Sequence, residues 1–381
     1  MQIKVLASTK VGYTMPKEEA INFSGKSAGI CYMPDSMDTL FSEPAEKTEK
    51  RAKGTLNSGH HSVFGHVTYN LSLEGIPKIL AMILNNEQDY NTSEKSARYT
   101  KMEASEKEKE LYEKWITIYQ KVIKDEYPEI DDKKVTKLAM ENARYLISVF
   151  TPSTIMEYSV NFRQLNYIVH WFENFIRDAE DTAFNVKLKK VFKEFIDKVS
   201  YLIIPELNAD AKGRTLSLFA KRTRGTEFGE NYCVNYQGTF AQLAQAQRHR
   251  TLTYEISIPD VHNYYVPPII EGTPLEEEWL TDISSLDSEY PQGLLININE
   301  RGTVEKFIMK CQERICGAAQ LEIALQTKET LNRYMENTKD AKKEIYEYLV
   351  PYSKGTKCTF PGNKCTLPCM WGAKRGIDRK I

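Results

Sequence analysis

The sequence of 381 residues has no run of about 18 apolar residues, so it predicts no helix that spans a membrane. It also lacks an excess of charge of one sign, because 51 Lys and Arg residues balance 52 Asp and Glu residues to a net charge of −1. A general nucleic-acid or membrane-surface binder would carry a strong basic excess, so the sequence argues against both classes. Segments of low complexity are absent, and a composition of 41% hydrophobic and 27% charged residues is that of a folded protein.

Signals for export and a disulfide framework are also missing. Residues 1–7 turn polar too soon for a signal peptide. Cysteine occurs seven times, and an odd number without an export signal argues against a set of structural disulfides. The sequence therefore predicts a cytoplasmic protein with reduced thiols.

Hydrophobic periodicity predicts an α+β fold, and the length favours two to three domains. Alternation over residues 67–74 predicts a strand. Residues 89–99 are predicted as a polar loop, and residues 28–32 as a short apolar run after a polar linker. The predicted helices are 36–58, 76–88, 104–126, 131–150, 161–178, 183–202 and 236–250, and residues 303–337 are predicted as one or two helices.

The most informative string is Arg248-His249-Arg250, at the end of a predicted helix. One interpretation is a solvated helix end, where basic residues complement the helix dipole. The other is an anion site, because the guanidinium group offers a planar fork that suits phosphate. The residues alone leave both open.

Two further strings each have a functional and a structural interpretation. The segment 91–99 carries Ser, Glu and Arg side chains that could bind a nucleotide, or it could be a capped turn before a helix. The segment 59–66 holds three histidines, which suggests a metal. No carboxylate follows at a ligand spacing, so a turn packed by its histidines is the stronger interpretation.

A third group consists of Cys358, Cys365 and Cys369 in a turn-rich tail. These thiols could hold zinc with a fourth ligand from elsewhere, Cys311 or Cys316. They could equally be reduced structural cysteines or a redox group. The spacing is not the usual paired Cys-x-x-Cys, and we expect no metal in the catalytic chemistry.

Taken together, the strings resemble the flavin-dependent thymidylate synthases, the ThyX family. That family carries the motif R-H-R-x-x-S-x-x-E-x-S-x-R-Y, a histidine turn before it, and helix motifs after it. The first half of this chain matches the histidine turn, the second part of the motif, the helix start and the helix entry, but Asn86-Glu87-Gln88 stands where the family has R-H-R. The matching segments are His60–His66, with Gly65 where Glu is usual, Glu94-Lys-Ser96-Ala-Arg98-Tyr99, Ala143-Arg144 and Asn161-Phe-Arg163.

The second half shows the reverse pattern. It keeps Arg248-His249-Arg250, with Gln245 before it and Thr253 at the serine position, but Ile256, Ile258 and Asp260 replace the loop residues. It also keeps Arg314 and the string Ala319-Gln320-Leu-Glu322-Ile323. The counterpart of Asn161–Arg163 is predicted at Asn299–Arg301, about one helical turn farther from Arg314 than in the family. Each half thus retains what the other has lost.

The resemblance implies a fold of two ThyX-like α/β units fused in tandem, each a mixed sheet flanked by long helices. The expected domains are 1–207 with the nucleotide loop, 208–345 with R-H-R, and a cysteine-containing tail at 346–381. The family is a homotetramer whose active sites lie between subunits. A homodimer of this chain would then act as a pseudo-tetramer.

The activity that the resemblance implies is reductive methylation of dUMP to dTMP, with FAD, NADPH and methylenetetrahydrofolate. Arg314 would polarise the pyrimidine as the catalytic residue. The expected dUMP-binding residues are Gln245, Arg248, Glu94, Ser96, Arg98 and Arg144. The expected FAD-binding residues are Ser62, Arg248, His249, Arg250, Asn161 and Arg163, with the basic residues supplying cations for the diphosphate.

Two other functions remain open at this point. One is a related flavoenzyme that modifies another pyrimidine nucleotide. The other is a non-catalytic nucleotide- or nucleic-acid-binding relative, against which the complementary retention in the two halves argues. Zinc in the tail would be structural.

Overall fold

A computed structural model describes residues 8–30, 37–88, 90–96, 102–208, 214–220, 224–365 and 369–381. The helices are α1 (Lys17–Gly29), α2 (Met37–Phe41), α3 (Ala45–Asn57), α4 (Lys78–Leu84), α5 (Glu106–Glu126), α6 (Asp132–Ala143), α7 (Phe162–Asp178), α8 (Ala183–Val199), α9 (Phe240–Ala246), α10 (Pro274–Ser284), α11 (Val304–Arg314), α12 (Leu321–Thr338), α13 (Lys343–Leu349) and α14 (Gly372–Arg375). The strands are β1 (Thr68–Pro77), β2 (Tyr90–Glu94), β3 (Pro152–Asn161), β4 (Asn231–Thr239), β5 (Thr253–Ser257) and β6 (Leu295–Thr303). The predicted α+β class is confirmed.

The strands form two small sheets with the orders β1-β3-β2 and β4-β6-β5. In the second sheet the central strand β6 pairs antiparallel with both neighbours, and Asn235 lies opposite Asn299. Neither sheet is mixed, so that part of the prediction is wrong. Sheets of this kind need no long crossover connection between neighbouring strands.

The helices that follow the first and the central strand of each sheet recur in the two halves of the sequence. A seven-residue helix follows the first strand of each sheet, α4 after β1 and α9 after β4. A longer helix follows each central strand, α7 after β3 and α11 after β6. Side chains cap both of these helices, since Asn161 accepts a hydrogen bond from Gln164 N and Thr303 accepts one from Lys306 N.

The chain forms two compact units, and the first comprises Met1–Ser72, Asp89–Thr92 and Glu157–Arg214. Helices α1 and α3 pack closely in this unit. A Cβ at Gly25 of α1 would lie only 2.2 Å from the carbonyl oxygen of Thr48 of α3. Phe172 of α7 stacks on Phe192 of α8 with ring centroids 3.9 Å apart. These contacts build a helical core from segments that are far apart in the sequence.

The second unit comprises Leu73–Gln88, Ser93–Met156 and Thr215–Ile381. Aromatic residues of α5 and α10 form the centre of one core, where Trp115 and Trp279 meet edge to face at 4.8 Å. A separate buried ion pair joins Glu300 of β6 to Lys310 of α11 at 2.6 Å. The hydroxyl groups of Tyr232 and Tyr236 donate to the same carboxylate at 2.8 Å. Segments from both halves of the sequence thus build this unit.

The structure settles some of the element predictions. Helix α1 replaces the predicted linker and apolar run, β2 replaces part of the predicted loop, and residues 236–239 belong to β4 rather than to a helix. The domain boundaries at 207 and 345 stay a prediction. Among the described residues, no helix has the length and apolar character needed to cross a membrane.

Candidate active site

A buried ion pair fixes the nucleotide loop predicted from the first half. Lys78 begins α4, where Pro77 precedes it, and Glu94 ends β2. The Lys78 ammonium group contacts Glu94 Oε1, and the two side chains are only 8% and 0% exposed. The amide of Asn85 donates to Glu94 Oε2 at 3.2 Å. Because both carboxylate oxygens are engaged within the protein, Glu94 anchors the loop.

Electrostatics keep this carboxylate charged. Burial opposes ionisation, but Lys78 and Arg248 outweigh it and hold the pKa of Glu94 below its usual value. Burial, with Arg248 and Arg144 nearby, also lowers the pKa of Lys78 despite its partner. The region therefore concentrates positive charge in a space that excludes water, which favours an anionic ligand.

Arg248 of the second half lies directly on this loop of the first half. Its Nη2 atom donates to the carbonyl oxygen of Glu94 at 3.1 Å and to that of Lys95 at 3.5 Å. Arg248 belongs to a 3₁₀ turn, Gln247–His249, that continues α9. Gln247 holds the turn in place, since its amide donates to Met82 O at 3.1 Å and to Asn86 Oδ1 at 3.2 Å.

The residues that replace R-H-R in the first half have structural roles. Asn86 donates to the carbonyl oxygen of Tyr254 at 2.8 Å, and Glu87 accepts from Ser217 N at 2.8 Å. Glu87 is 5% exposed, and burial raises its pKa to about 7. These residues therefore bind the second half of the chain.

Gln245 and Arg314 are in direct contact with each other. The Nη2 atom of Arg314 donates to the carbonyl oxygen of Gln245 at 2.5 Å, and Gln320 N donates to Gln245 Oε1 at 3.2 Å. Gln245 and Arg314 are 7% and 6% exposed. The Nε2 atom of Gln245 is buried and has no hydrogen-bond partner within the described residues. A buried donor of this kind is costly unless a ligand accepts from it.

Arg144 joins the same group through a chain of hydrogen bonds. It donates to Gln320 Oε1, Gln320 Nε2 donates to Tyr145 Oη at 2.5 Å, and Tyr145 donates to Glu322 at 2.7 Å. Glu322 also accepts from the N-H and hydroxyl groups of Thr239, at 2.9 and 2.8 Å. Arg144 and Tyr145 come from the first half of the sequence, whereas Gln320, Glu322 and Thr239 come from the second. The network therefore fixes segments of the two halves against each other.

His249 is neutral near pH 7. Burial, followed by the charge of Arg314, lowers its pKa to about 4. Without a bound anion His249 therefore supplies no positive charge near pH 7, and its assignment to the FAD diphosphate stays a prediction. Its Nε2 atom is buried and has no partner within the described chain. Arg250 is exposed and has a φ of 55°, an unusual backbone conformation for a residue with a side chain.

The other predicted flavin residues lie in the first unit. His61–Gly65 forms a 3₁₀ turn, where His61 contacts Tyr167 Oη at 2.9 Å and Ser62 is exposed. This supports packing rather than metal binding for the histidine. A Cβ at Gly65 would lie 3.9 Å from both Asn161 Oδ1 and Arg163 Cζ, so the turn adjoins the start of α7.

The remaining sequence predictions concern the end of the nucleotide loop and the counterpart of Asn161 in the second half. Arg98 lies outside the described residues, and Ser96 is half-buried at the end of the described loop. Asn299 lies within β6 rather than at a helix start, so the predicted counterpart of Asn161 is wrong. Thr303 occupies that place as the N-cap of α11, one helical turn closer to Arg314. The interval from Thr303 to Arg314 is one helical turn shorter than that from Asn299. This removes the excess of about one turn over the interval in the family.

The described part of the cysteine tail shows no metal centre. Cys358 and Cys365 are exposed and Cys369 is half-buried. In the part of the chain that the structure describes, no three potential ligands group around a common point. Cys311 is buried on α11, and burial raises the pKa of its thiol. Zinc in the tail stays a prediction.

Sequence reasoning missed two residues of this site, Lys78 and Tyr145. Lys78 is the only charged residue of the string Lys78–Leu84, whose other members are apolar. That contrast is the one signal in the sequence that could have identified it. Tyr145 follows Arg144 directly, but its role depends on Gln320, far away in the sequence. Both are defined by contacts between distant segments.

The comparisons with known proteins bear on the first half of the chain. Residues 12–173 match the family model Thy1, described as thymidylate synthase complementing protein. A flavin-dependent thymidylate synthase from Pyrococcus furiosus is 26% identical over 172 residues, which cover 42% of this chain and 67% of that protein. The family match contains the histidine turn, Glu94, Arg144 and Asn161, and it ends before Arg248. Through residues 12–173, which are less than half of its length, this chain is similar to the Thy1 family, the flavin-dependent thymidylate synthases.

Proposed function

We propose that this chain reductively methylates dUMP to dTMP with FAD, NADPH and methylenetetrahydrofolate, and that the two halves of one chain complete the dUMP site. The observation that carries the proposal is the contact of Arg248 with the main chain of Glu94 and Lys95. Arg248 belongs to the part of the motif that the second half keeps. Glu94 and Lys95 belong to the part that the first half keeps. The pattern of complementary loss gains a physical reason if the two parts serve the same site.

In this proposal the nucleotide phosphate binds to arginine and hydroxyl groups. Arg248 and Arg144 supply the charge, and Ser96 and Arg98 complete the phosphate contacts. A phosphate dianion would compensate the positive charge that Lys78, Arg144 and Arg248 bring together. Glu94 contributes by fixing the loop, because its carboxylate oxygens already accept from Lys78 and Asn85.

The pyrimidine ring lies nearer Gln245 and Arg314. The buried Nε2 donor of Gln245 is suited to a pyrimidine carbonyl oxygen. Arg314 is the residue that stabilises negative charge on the ring when its C5 atom attacks the carbon donor. The contact of Arg314 with Gln245 O fixes the guanidinium in one orientation, which such preorganised stabilisation requires.

The chemistry of the described residues fits a flavin cofactor. The buried Nε2 atom of neutral His249 can donate to, or accept from, a polar ring edge. Exposed Arg250 and Ser62, with Asn161 and Arg163, are the further residues that we assign to FAD. Bound FAD would supply the hydride after NADPH reduces it, and the protein would position and polarise the substrate.

The shared order of elements in the two sheets supports a tandem duplication of one ThyX-like unit. Divergence would have left the second half with R-H-R and converted Asn86-Glu87-Gln88 to structural use. A homodimer that resembles the tetramer of the family, in the cytoplasm, is the assembly that we propose.

The test is product analysis by chromatography after incubation with dUMP, methylenetetrahydrofolate, NADPH and FAD. Formation of dTMP, lost in Arg314→Ala and retained in the exposed control Arg177→Ala, is the expected result. Folded, FAD-binding protein that converts another pyrimidine nucleotide but not dUMP would favour the related flavoenzyme. Folded protein that neither binds FAD nor converts any nucleotide would favour the non-catalytic relative.

A further inference from the structure

A cavity lies in the second unit, beside the hydrogen-bond network that contains Arg144. Its volume is about 440 Å³, within the range of small-molecule sites. Tyr145, Tyr265 and Trp371 line it with aromatic rings, and Glu141, Gln320 and Arg379 line it with polar groups. The dUMP site proposed above does not use Glu141, Arg379 or Trp371.

Arg379 is a buried cation whose described contacts are all with neutral groups. It is 7% exposed, and it donates to the carbonyl oxygens of Gly317 at 2.6 Å and of Ala319 at 2.5 Å. The guanidinium lies over the ring of Trp371, 5.2 Å from its centroid. Its Nε atom is buried without a hydrogen-bond partner in the described part of the chain. Burial lowers the pKa of Arg379, and the charge of Glu141 offsets that only in part, so an anionic group bound here would stabilise the charged guanidinium.

Glu141 provides the opposite chemistry in the same cavity. It lies on α6, and its Oε1 atom is buried with no partner among the residues that the structure describes. A carboxylate accepts paired N–H groups, such as those on the edge of an aminopyrimidine ring. The cavity therefore offers an acceptor for a donor edge, a cation for an anionic group, and aromatic walls for a flat ring.

We infer that this cavity binds a flat nitrogen heterocycle that presents N–H groups to Glu141 and an anionic group to Arg379. A reduced folate has this chemistry in its pterin ring and glutamate carboxylates. NADP⁺ has it in its adenine ring and phosphates. The choice of these two sources rests on the proposed function, whereas the chemistry of the cavity does not.

The cavity adjoins the dUMP site through a shared wall. Tyr145 and Gln320 line the cavity and also form the hydrogen-bond chain to Arg144. A ligand in the cavity would therefore fix the segment between α11 and α12, which follows Arg314. Binding in the cavity would therefore also order Arg314 and its neighbours at the proposed pyrimidine site.

The test measures binding of 5-formyltetrahydrofolate and of NADP⁺ separately by calorimetry on the full chain. Wild-type protein is compared with Glu141→Gln, Arg379→Met and the matched control Glu129→Gln, which changes an exposed carboxylate paired with Arg375. One of the two ligands is expected to bind once per chain. Its Kd should rise about tenfold or more in Glu141→Gln, as loss of a charge-assisted hydrogen bond predicts, and stay unchanged in Glu129→Gln. Thermal melting establishes that each variant is folded.

Specific weakening for the folate identifies a folate site, and specific weakening for NADP⁺ identifies a dinucleotide site. Failure of both ligands to bind wild-type protein would overturn the inference. Equal affinities of Glu141→Gln and Glu129→Gln would overturn it as well. The isosteric Glu141→Gln decides the question if Arg379→Met does not fold. These binding results are independent of dTMP formation, so failure of the inference and failure of the proposed function can be told apart.

Discussion

Replacing Lys78 by Met tests whether the buried ion pair organises the nucleotide loop. The substitution keeps the length of the side chain and leaves the Glu94 carboxylate buried without its cation. Breaking one partner of a buried pair typically costs about 3–5 kcal/mol. For a unit of this size that corresponds to a melting temperature lower by roughly 6–15 °C. Calorimetry or circular dichroism on the full chain measures it.

The second half of the chain supplies the control. The first residue of α9 is Phe240, where α4 has Lys78, and Ile256 stands at the motif position of Glu94. The double variant Lys78→Phe/Glu94→Ile therefore places at these positions the apolar residues that the second half has at the equivalent ones. Replacing both charges by well-packed apolar groups is often neutral, so the double variant should recover most of the lost stability. It should not recover dUMP binding, because the carboxylate that anchors the loop through Lys78 and Asn85 is gone.

The pH dependence follows from the same pair. In the wild type the pKa of Glu94 is held below its usual value, so its stabilisation is present above about pH 4.3 and lost as the pH falls through the lower folded pKa. In Lys78→Met burial would raise that pKa instead. The destabilisation would then be largest at pH 7 and smaller at pH 5. Unchanged melting of Lys78→Met at pH 7, or a double variant no more stable than the single one, would refute this reasoning.

Three further predictions concern the arginines and the histidine of the site. Arg314→Ala should lower kcat for dTMP formation by about 10²–10³-fold, as loss of one preorganised donor typically does, with Arg177→Ala unchanged in the same assay. His249 should remain neutral down to about pH 5 in an NMR titration, because its pKa lies near 4, and a titration midpoint near 6.5 would contradict its burial. Arg250→Ala should weaken FAD binding measured by fluorescence quenching while leaving the melting temperature nearly unchanged, since Arg250 is exposed. An unaltered Kd for FAD would remove Arg250 from the flavin site.

Periodic segments were predictable from the sequence because local pattern and final structure agree in them. Helices α5, α7 and α8 lie within a few residues of the predicted ranges, since each has a regular apolar face. Strand β2 was missed because its sequence, Tyr90–Glu94, is polar and no periodicity marks it. Helix α1 was missed because Ser and Gly make up much of its buried face, where close packing on α3 favours small residues.

The site was predictable where family motifs place single residues. Arg248, Gln245, Arg144 and Arg314 were chosen from such strings, and the structure brings them into one unit. The contacts of Lys78, Tyr145 and Glu87 were not predictable, because each depends on a partner that local sequence does not reveal. Glu87 is the clearest case, since nothing in the neighbouring sequence indicates that its carboxylate accepts a hydrogen bond from Ser217.

The central claim is that one chain completes its own dUMP site from both halves. The most direct measurement mixes Arg144→Ala and Arg248→Ala, two variants that each lack a residue from a different half, under conditions that exchange subunits. The account predicts that the mixture forms no more dTMP than the two variants do separately, because every chain lacks one residue of its own site. Recovery toward about a quarter of the wild-type rate, which random pairing into dimers would give if each site drew on two chains, would contradict it.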